Sequence, residues 1–380
     1  MKSSTRTAAL VTGAVVVLLA PVAALRAWSE PADPRISVGA PAPATLLPGD
    51  VRDPAGRMIA NAVWTGLVSY DAKTGAPTNA AAASVTSPDR RVWTIRLRPG
   101  ATFQDGSPVT PRSFTGAWTA VLREGWAGTR LFTEVAHVKG ARRGAEEVSG
   151  LKVEDDLTFE VTLDRPLSGF PALLGDPAFF PLPESVLKSR DWASYGRKPV
   201  GNGLFRVTSR SAREIVLQRR SGEGRSVAVK AIPDAKEQYN AASAGDLDVA
   251  TQVPPNRHDA RPRPVTDLRK ALDSHDVDGP FVVHTTAAYP APVAALPPLL
   301  DAGTEFDDDY TTGLIADAER AATPDDGVIP ARLAESAMLR DMPAMPLWSA
   351  HDHLVWSERV RGVTAGAFTG LRLDHLTIKK

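Results

Sequence analysis

Cysteine is missing from all 380 residues. That excludes a disulfide framework, a thiolate metal site, a cysteine nucleophile and a lipid anchor through a cysteine thioether. Net charge is missing as well: 44 Lys+Arg balance 44 Asp+Glu, so the chain lacks the electrostatic footprint of a nucleic-acid binder. No repeat of fixed period occurs, which removes solenoids and propellers. Neither a G-x-S-x-G elbow, nor a G-x-x-x-x-G-K-[ST] loop, nor an H-E-x-x-H helix is present, and no enzymatic activity or cofactor is expected. The chain does contain 43% apolar residues, 29 Gly and 32 Pro. At roughly 100–200 residues per domain, the length predicts two or three domains around a packed core.

Lys2 and Arg6 precede an uncharged run from Thr7 to Leu25 that Arg26 closes. A basic segment followed by an apolar one is the layout of an export signal. Residues 1–30 are therefore read as a signal peptide, with Val22 and Ala24 small enough for a cleavage site, or as an uncleaved membrane anchor. The run has nearly the ~20 residues that span a bilayer, and both readings stay open. Either way the remainder faces the extracellular side of the cell membrane or the periplasm, without a cysteine-linked lipid.

Trp93, Ile95 and Leu97 alternate with polar residues, as do Phe159, Val161 and Leu163; a period of two predicts half-buried strands. Thr110 before Pro111, with Phe114, Ala117, Trp118 and Val121 at helical spacing, predicts a capped helix to about Leu122. Further strands are expected near Ile36 to Val38, Phe205 to Val207, Ile215 to Gln218, Val227 to Ile232 and Leu247 to Ala250. Asp234 and Glu237 open a helix that Gly245 ends. The proline-rich stretch from Pro254 to Pro264 suits a domain junction. Leu314, Ile315 and Ala318 suit one amphipathic helix and Ile329, Leu333 and Ala337 a second, with closing strands at Met345 to Trp348 and Leu354 to Trp356.

Candidate chemistry is sparse. His351 and His353 project together if the segment is a strand, but a polar turn between two closing strands is the preferred reading. Glu305, Asp307, Asp308 and Asp309 lack calcium-loop spacing and read as complementing a helix dipole. Trp93 and Trp118 sit at core spacing. Trp64 and Tyr289, in loop-like contexts, are the candidate substrate-binding aromatics.

Several segments together resemble the extracytoplasmic solute-binding proteins of family 5, the dipeptide and oligopeptide receptors of ABC importers. The longest is Trp93 to Thr110, reading WTIRLRPGATFQDGSPVT; Ala60 to Asp71, Gly201 to Phe205, Ile232 to Ala235, Ala244 to Asp248, Met345 to Trp348 and Arg361 to Val363 also match. The resemblance implies an α/β fold of the periplasmic-binding-protein-like two-lobe kind (type II, cluster C-like) with a reduced second lobe. It places the main lobe in 36–252 plus 340–380 and the reduced lobe in 265–335. It also implies a small solute such as a peptide and an ABC permease as partners, with no nucleic acid, no metal and a monomeric state. The alternative is a degenerate relative acting as an anchored interaction or accessory module. Thr285 to Pro290 resembles a stretch in which peptide-binding members carry an Asp for the ligand's ammonium group. Here that position is Ala288, and substrate binding is assigned to Trp64, Tyr289 and Ala288 with weak affinity for free-amino peptides expected.

Overall fold

The computed structural model describes residues 35–71, 75–220, 226–254, 287–300, 308–341 and 353–379. Its largest sheet has six strands: β1 (Ile36–Ala40), β8 (Phe205–Arg210), β9 (Glu214–Arg219), β10 (Ser226–Ala231), β11 (Val249–Ala250) and β12 (Val355–Trp356), in the order β12-β11-β1-β10-β9-β8. β1 runs parallel to both β10 and β11, while the other pairings are antiparallel. Alternation turns Ile36, Val38, Val227, Val229, Ile215, Leu217, Phe205 and Val207 to the buried face, as a period of two requires. The helix Ala235–Ala244 links β10 to β11, capped by the Asp234 carboxylate on the Glu237 N–H at 2.8 Å and ended by Gly245 at φ 84. It covers the other face: Gln238 and Leu247 meet the backbone of Gly39.

Asp248 ties three distant parts of this sheet together. Its carboxylate accepts from Arg359 Nε at 2.8 Å and Nη2 at 2.7 Å, and from the Ser37 amide at 2.8 Å and hydroxyl at 2.9 Å. Two parallel guanidinium bonds to a carboxylate fix orientation as well as adding energy.

A second sheet has four antiparallel strands, ordered β4 (Ala82–Thr86), β5 (Val92–Leu97), β7 (Thr158–Thr162), β6 (Leu151–Val153); β2 (Val68–Tyr70) and β3 (Pro77–Asn79) form a separate hairpin. The helix Pro111–Glu124 begins at a Thr110–Ser113 capping box and stops at Gly125, φ 63. Trp118, fully buried, donates its indole N–H to the Phe179 carbonyl at 3.0 Å and meets the rings of Phe132, Phe159 and Phe179. The expected strands and helix are present here with ends shifted by one or two residues.

Helices Asp309–Arg320 and Val328–Asp341 pack against each other and onto the same core through Ile315, Ala318, Ala331, Ala334 and Met338. Of the three residues expected on the buried face of the second helix, Ala337 is buried, whereas Ile329 is 71% and Leu333 47% exposed. Small residues allow a close helix approach, so the stripe of Ala331, Ala334, Ala337 and Met338 faces inward while Ile329 and Leu333 point out. Met345 to Trp348 and most of the proline-rich stretch lie outside the described residues, whereas Val355–Trp356 pairs with β11.

Candidate functional site

Three of the family-like segments meet at one junction. Gly201 and Gly203 lie against the carbonyl end of the helix Pro54–Val63; the Gly203 amide donates to Val63 O at 2.8 Å. A Cβ on Gly201 would lie 2.0 Å from that oxygen, so only glycine permits the approach. Between them Asn202 clasps Thr65, accepting from its amide at 2.9 Å and donating to its carbonyl at 3.0 Å. Gln104 closes the third side: its side-chain amide donates to Phe205 O at 2.6 Å, and its backbone N–H donates to Gly201 O at 2.9 Å. The short motifs thus form a hydrogen-bonded seam between the two sheets.

Trp64 stands inside this seam, just past the end of the helix in extended backbone, as its loop-like context indicated, but it is only 2% exposed. Tyr289 is also 2% exposed and Ala288 is half-buried. Among the described residues no ring contact joins Trp64 to Tyr289, so the structure does not bring the two aromatics together as one surface. Trp93 and Trp118 lie in the core as their spacing indicated.

Tyr289 covers Gly169. A Cβ there would come within 2.4 Å of the phenol ring. Beside it, Ser168 donates from its amide (3.1 Å) and hydroxyl (3.3 Å) to the Glu319 carbonyl, and Arg165 reaches the Glu319 carboxylate at 3.1 Å. Burial pushes the Glu319 carboxyl above its ordinary range, with Arg165 and Arg320 pulling it back. Burial, then the nearby Glu319 charge, raises the Tyr289 phenol, against the pull of Arg165. A crevice of only about 10 Å³ remains, room for about one water molecule, lined by Ser168, Tyr289, Pro292, Val293, Ala318 and Gly327 among others. A space of that size admits no drug-sized ligand, whose sites measure roughly 300–1,000 Å³.

The sequence analysis missed Arg165, Ser168, Gly169 and Glu319. One signal was available: Glu319 falls on the buried stripe of its helix with Thr311, Ile315 and Ala318, and an acid on an apolar stripe needs a partner. His353 is exposed, while His351, Glu305 and Asp307 lie outside the described residues. Asp308 accepts from the Tyr310 and Thr311 amides at 3.2 and 3.0 Å as a helix cap, in keeping with the dipole reading.

Residues 76–275 match the family model described as "Bacterial extracellular solute-binding proteins, family 5 Middle", which is more than half of the chain. The chain is 30% identical over 169 residues to the periplasmic oligopeptide-binding protein OppA of Salmonella typhimurium, covering 42% of this chain and 31% of that one. It is 32% identical over 127 residues to the dipeptide-binding protein DppE of Bacillus subtilis, covering 32% and 23% respectively. The matched stretch therefore spans under a third of the length of these curated relatives. In structure it is similar to the Escherichia coli murein tripeptide binding protein MppA, with a TM-score of 0.71, 15% identity, and 91% of this chain and 98% of that chain covered. That likeness bears on the fold, which is of the periplasmic-binding-protein kind. On the family match and the relatives that agree with it, the chain belongs to the extracellular solute-binding proteins of family 5.

Proposed function

We propose that this protein is the extracytoplasmic solute-capturing component of an ABC-type importer, binding a small solute outside the membrane and presenting it to a permease. The observation that carries this reading is the family match over residues 76–275. Its relatives are named for binding peptides. In this reading 36–252 plus 340–380 form the main lobe, and 265–335 a reduced second lobe. Val355–Trp356 supports that division by returning to the first sheet.

The substrate-facing residues are Ala288 and Tyr289, which become accessible when the segment carrying them swings off Ser168 and Gly169. A solute reaches Trp64 only if the Asn202 clasp opens. Ala288 supplies no carboxylate, so a free α-ammonium group buried there has no partner from that position; losing one member of a buried charge pair typically costs about 3–5 kcal/mol, or two to three decades in affinity. Calorimetry with short peptides and their N-acetylated forms tests this. Acetylated or uncharged solutes should bind at least as well as free-amino peptides, and micromolar binding that acetylation abolishes would sink the assignment.

A second reading, an anchored interaction module without transport, is favoured by the short span of the match to the relatives. Thermal shift across a solute library separates the two, because a bound solute raises the melting temperature by mass action. A library with no such solute supports the module.

A further inference from the structure

The balanced total charge conceals an uneven distribution. Between Lys188 and Arg220 stand nine Lys/Arg and two carboxylates, Asp191 and Glu214. Lys188 pairs with Glu184 and Arg190 with Glu146. The other seven, Arg197, Lys198, Arg206, Arg210, Arg213, Arg219 and Arg220, form no ion pair among the described residues. All but Arg219 are exposed. Some are held in place by neutral acceptors: Arg197 donates to Ser194 Oγ at 2.9 Å, Arg206 to Gln218 Oε1 at 2.9 Å, and Arg210 to the Gly196 carbonyl. That last bond joins the hairpin of β8 and β9 to the helix Trp192–Arg197 and collects Arg197, Lys198, Arg210 and Arg213 at one end of the sheet. Asp191 lies near Arg197 and Glu214 follows Arg213, but two carboxylates among nine cations leave a net positive face whose like charges repel one another, and an external anion would relieve that repulsion. Leu204, 44% exposed, precedes Arg206 in the chain, and its carbonyl accepts from the Arg220 amide at 2.8 Å. This apolar residue lies beside Arg206 and Arg220, at the end of β8 away from Arg210 and Arg213, and suits shallow insertion at a bilayer surface.

We propose that this face, formed by the helix Trp192–Arg197 and the hairpin of β8 and β9, docks on the phosphate headgroups of an anionic lipid bilayer. Membrane lipid is favoured over nucleic acid because the basic segment and apolar run of Lys2 to Leu25 direct the chain to a membrane, and because the chain as a whole is neutral. Docking holds the six-stranded sheet against the bilayer by its β8 edge. This inference does not depend on which solute, if any, is bound.

Flotation of the full chain with neutral phosphatidylcholine vesicles, and with vesicles containing phosphatidylglycerol, tests it. Each cation near an anionic surface raises binding about fivefold at low salt, and screening removes the gain at high salt. The full chain should prefer the anionic vesicles by at least about tenfold, and the triple variant Arg197→Gln, Lys198→Gln, Arg213→Gln should lose most of that preference while melting at the same temperature. A control that removes equal charge elsewhere, Arg91→Gln, Arg96→Gln, Arg142→Gln, should keep it. Equal binding to both vesicle types overturns the proposal. So does an equal loss in the control, which would reduce the effect to net charge. Preferential capture by duplex DNA over anionic vesicles at physiological salt also overturns it, in favour of a nucleic-acid surface.

Discussion

The four-stranded sheet is built from strands close in sequence, and its core is aromatic, with Trp118 enclosed by Phe132, Phe159 and Phe179. The six-stranded sheet gathers residues from both ends of the chain and closes on a polar network, in which Asp248 holds Ser37 and Arg359. One region depends on burial of apolar area, which varies little with pH or salt. The other also relies on a charge pair that is sensitive to pH. The comparison teaches that a single chain can hold neighbouring regions by interactions with different environmental responses, and that the Gly201 to Phe205 seam is where those responses meet.

Breaking the aromatic region should give the largest effect. Trp118→Ala removes a fully buried ring and leaves the Phe179 carbonyl without its donor; truncations of this kind cost about 3–5 kcal/mol, read by denaturant unfolding. The seam comes next. Gly201→Ala forces a methyl group against Val63 O, and an overpacked backbone contact costs about 1–3 kcal/mol. If the seam couples the sheets, near-ultraviolet circular dichroism will show the variant losing its single cooperative transition; a single unchanged transition would show that they fold independently.

Asp248→Asn sharpens the comparison on the polar side. Burial alone would raise the Asp248 carboxyl, but the bonds from Arg359 and Ser37 overcome it and hold the group below the ordinary carboxylate range. A depressed folded-state value gives stability that is present in full above the unfolded pKa of about 3.9 and is lost as pH falls through the folded value. The substitution should therefore cost about 2–4 kcal/mol at neutral pH, short of a fully buried pair because the Arg359 side chain is 33% exposed. The variant should also lack part of the steep acid limb of the wild-type stability profile; an unchanged limb would refute the assignment.

The smallest effect is expected at Glu319, where the sign reverses. Burial raises its carboxyl, so the folded state gains stability as pH falls through the raised folded value, and the gain is complete below the unfolded pKa of about 4.3. Glu319→Gln removes a desolvation cost and also the attraction of Arg165; the two nearly cancel, leaving a change within about 1 kcal/mol at neutral pH. Hydrogen exchange at Ser168 and Gly169 against pH measures it.

Most strands and helices were legible because side-chain period and end residues are local properties: Thr110 before Pro111, Asp234 before Glu237, and Gly245 each mark an element end that the structure contains. Partnership is not local. Nothing near Ile36 indicates that it lies beside Val227, and nothing near Ser168 announces Glu319, 151 residues away. The outward turn of Ile329 and Leu333 was misread for a related reason. A helix with apolar residues on two faces offers two ways to dock, and the choice belongs to its neighbour. In the candidate site, Ala288 and Tyr289 were visible through resemblance, whereas the glycine beneath Tyr289 required a three-dimensional neighbour to give it meaning.

The place of Ile36–Ala40 between two later strands also sets a schedule. This strand is the first described element to emerge from a ribosome, yet its partners at 227–231 and 249–250 follow about 190 to 210 residues later. At the usual ~5–20 residues per second of synthesis, that is a wait of roughly 10–40 seconds. For that interval both edges of an apolar strand stand open, which is the condition under which chains aggregate or recruit chaperones. A delay before the central strand is enclosed is thus written into the order of the sheet.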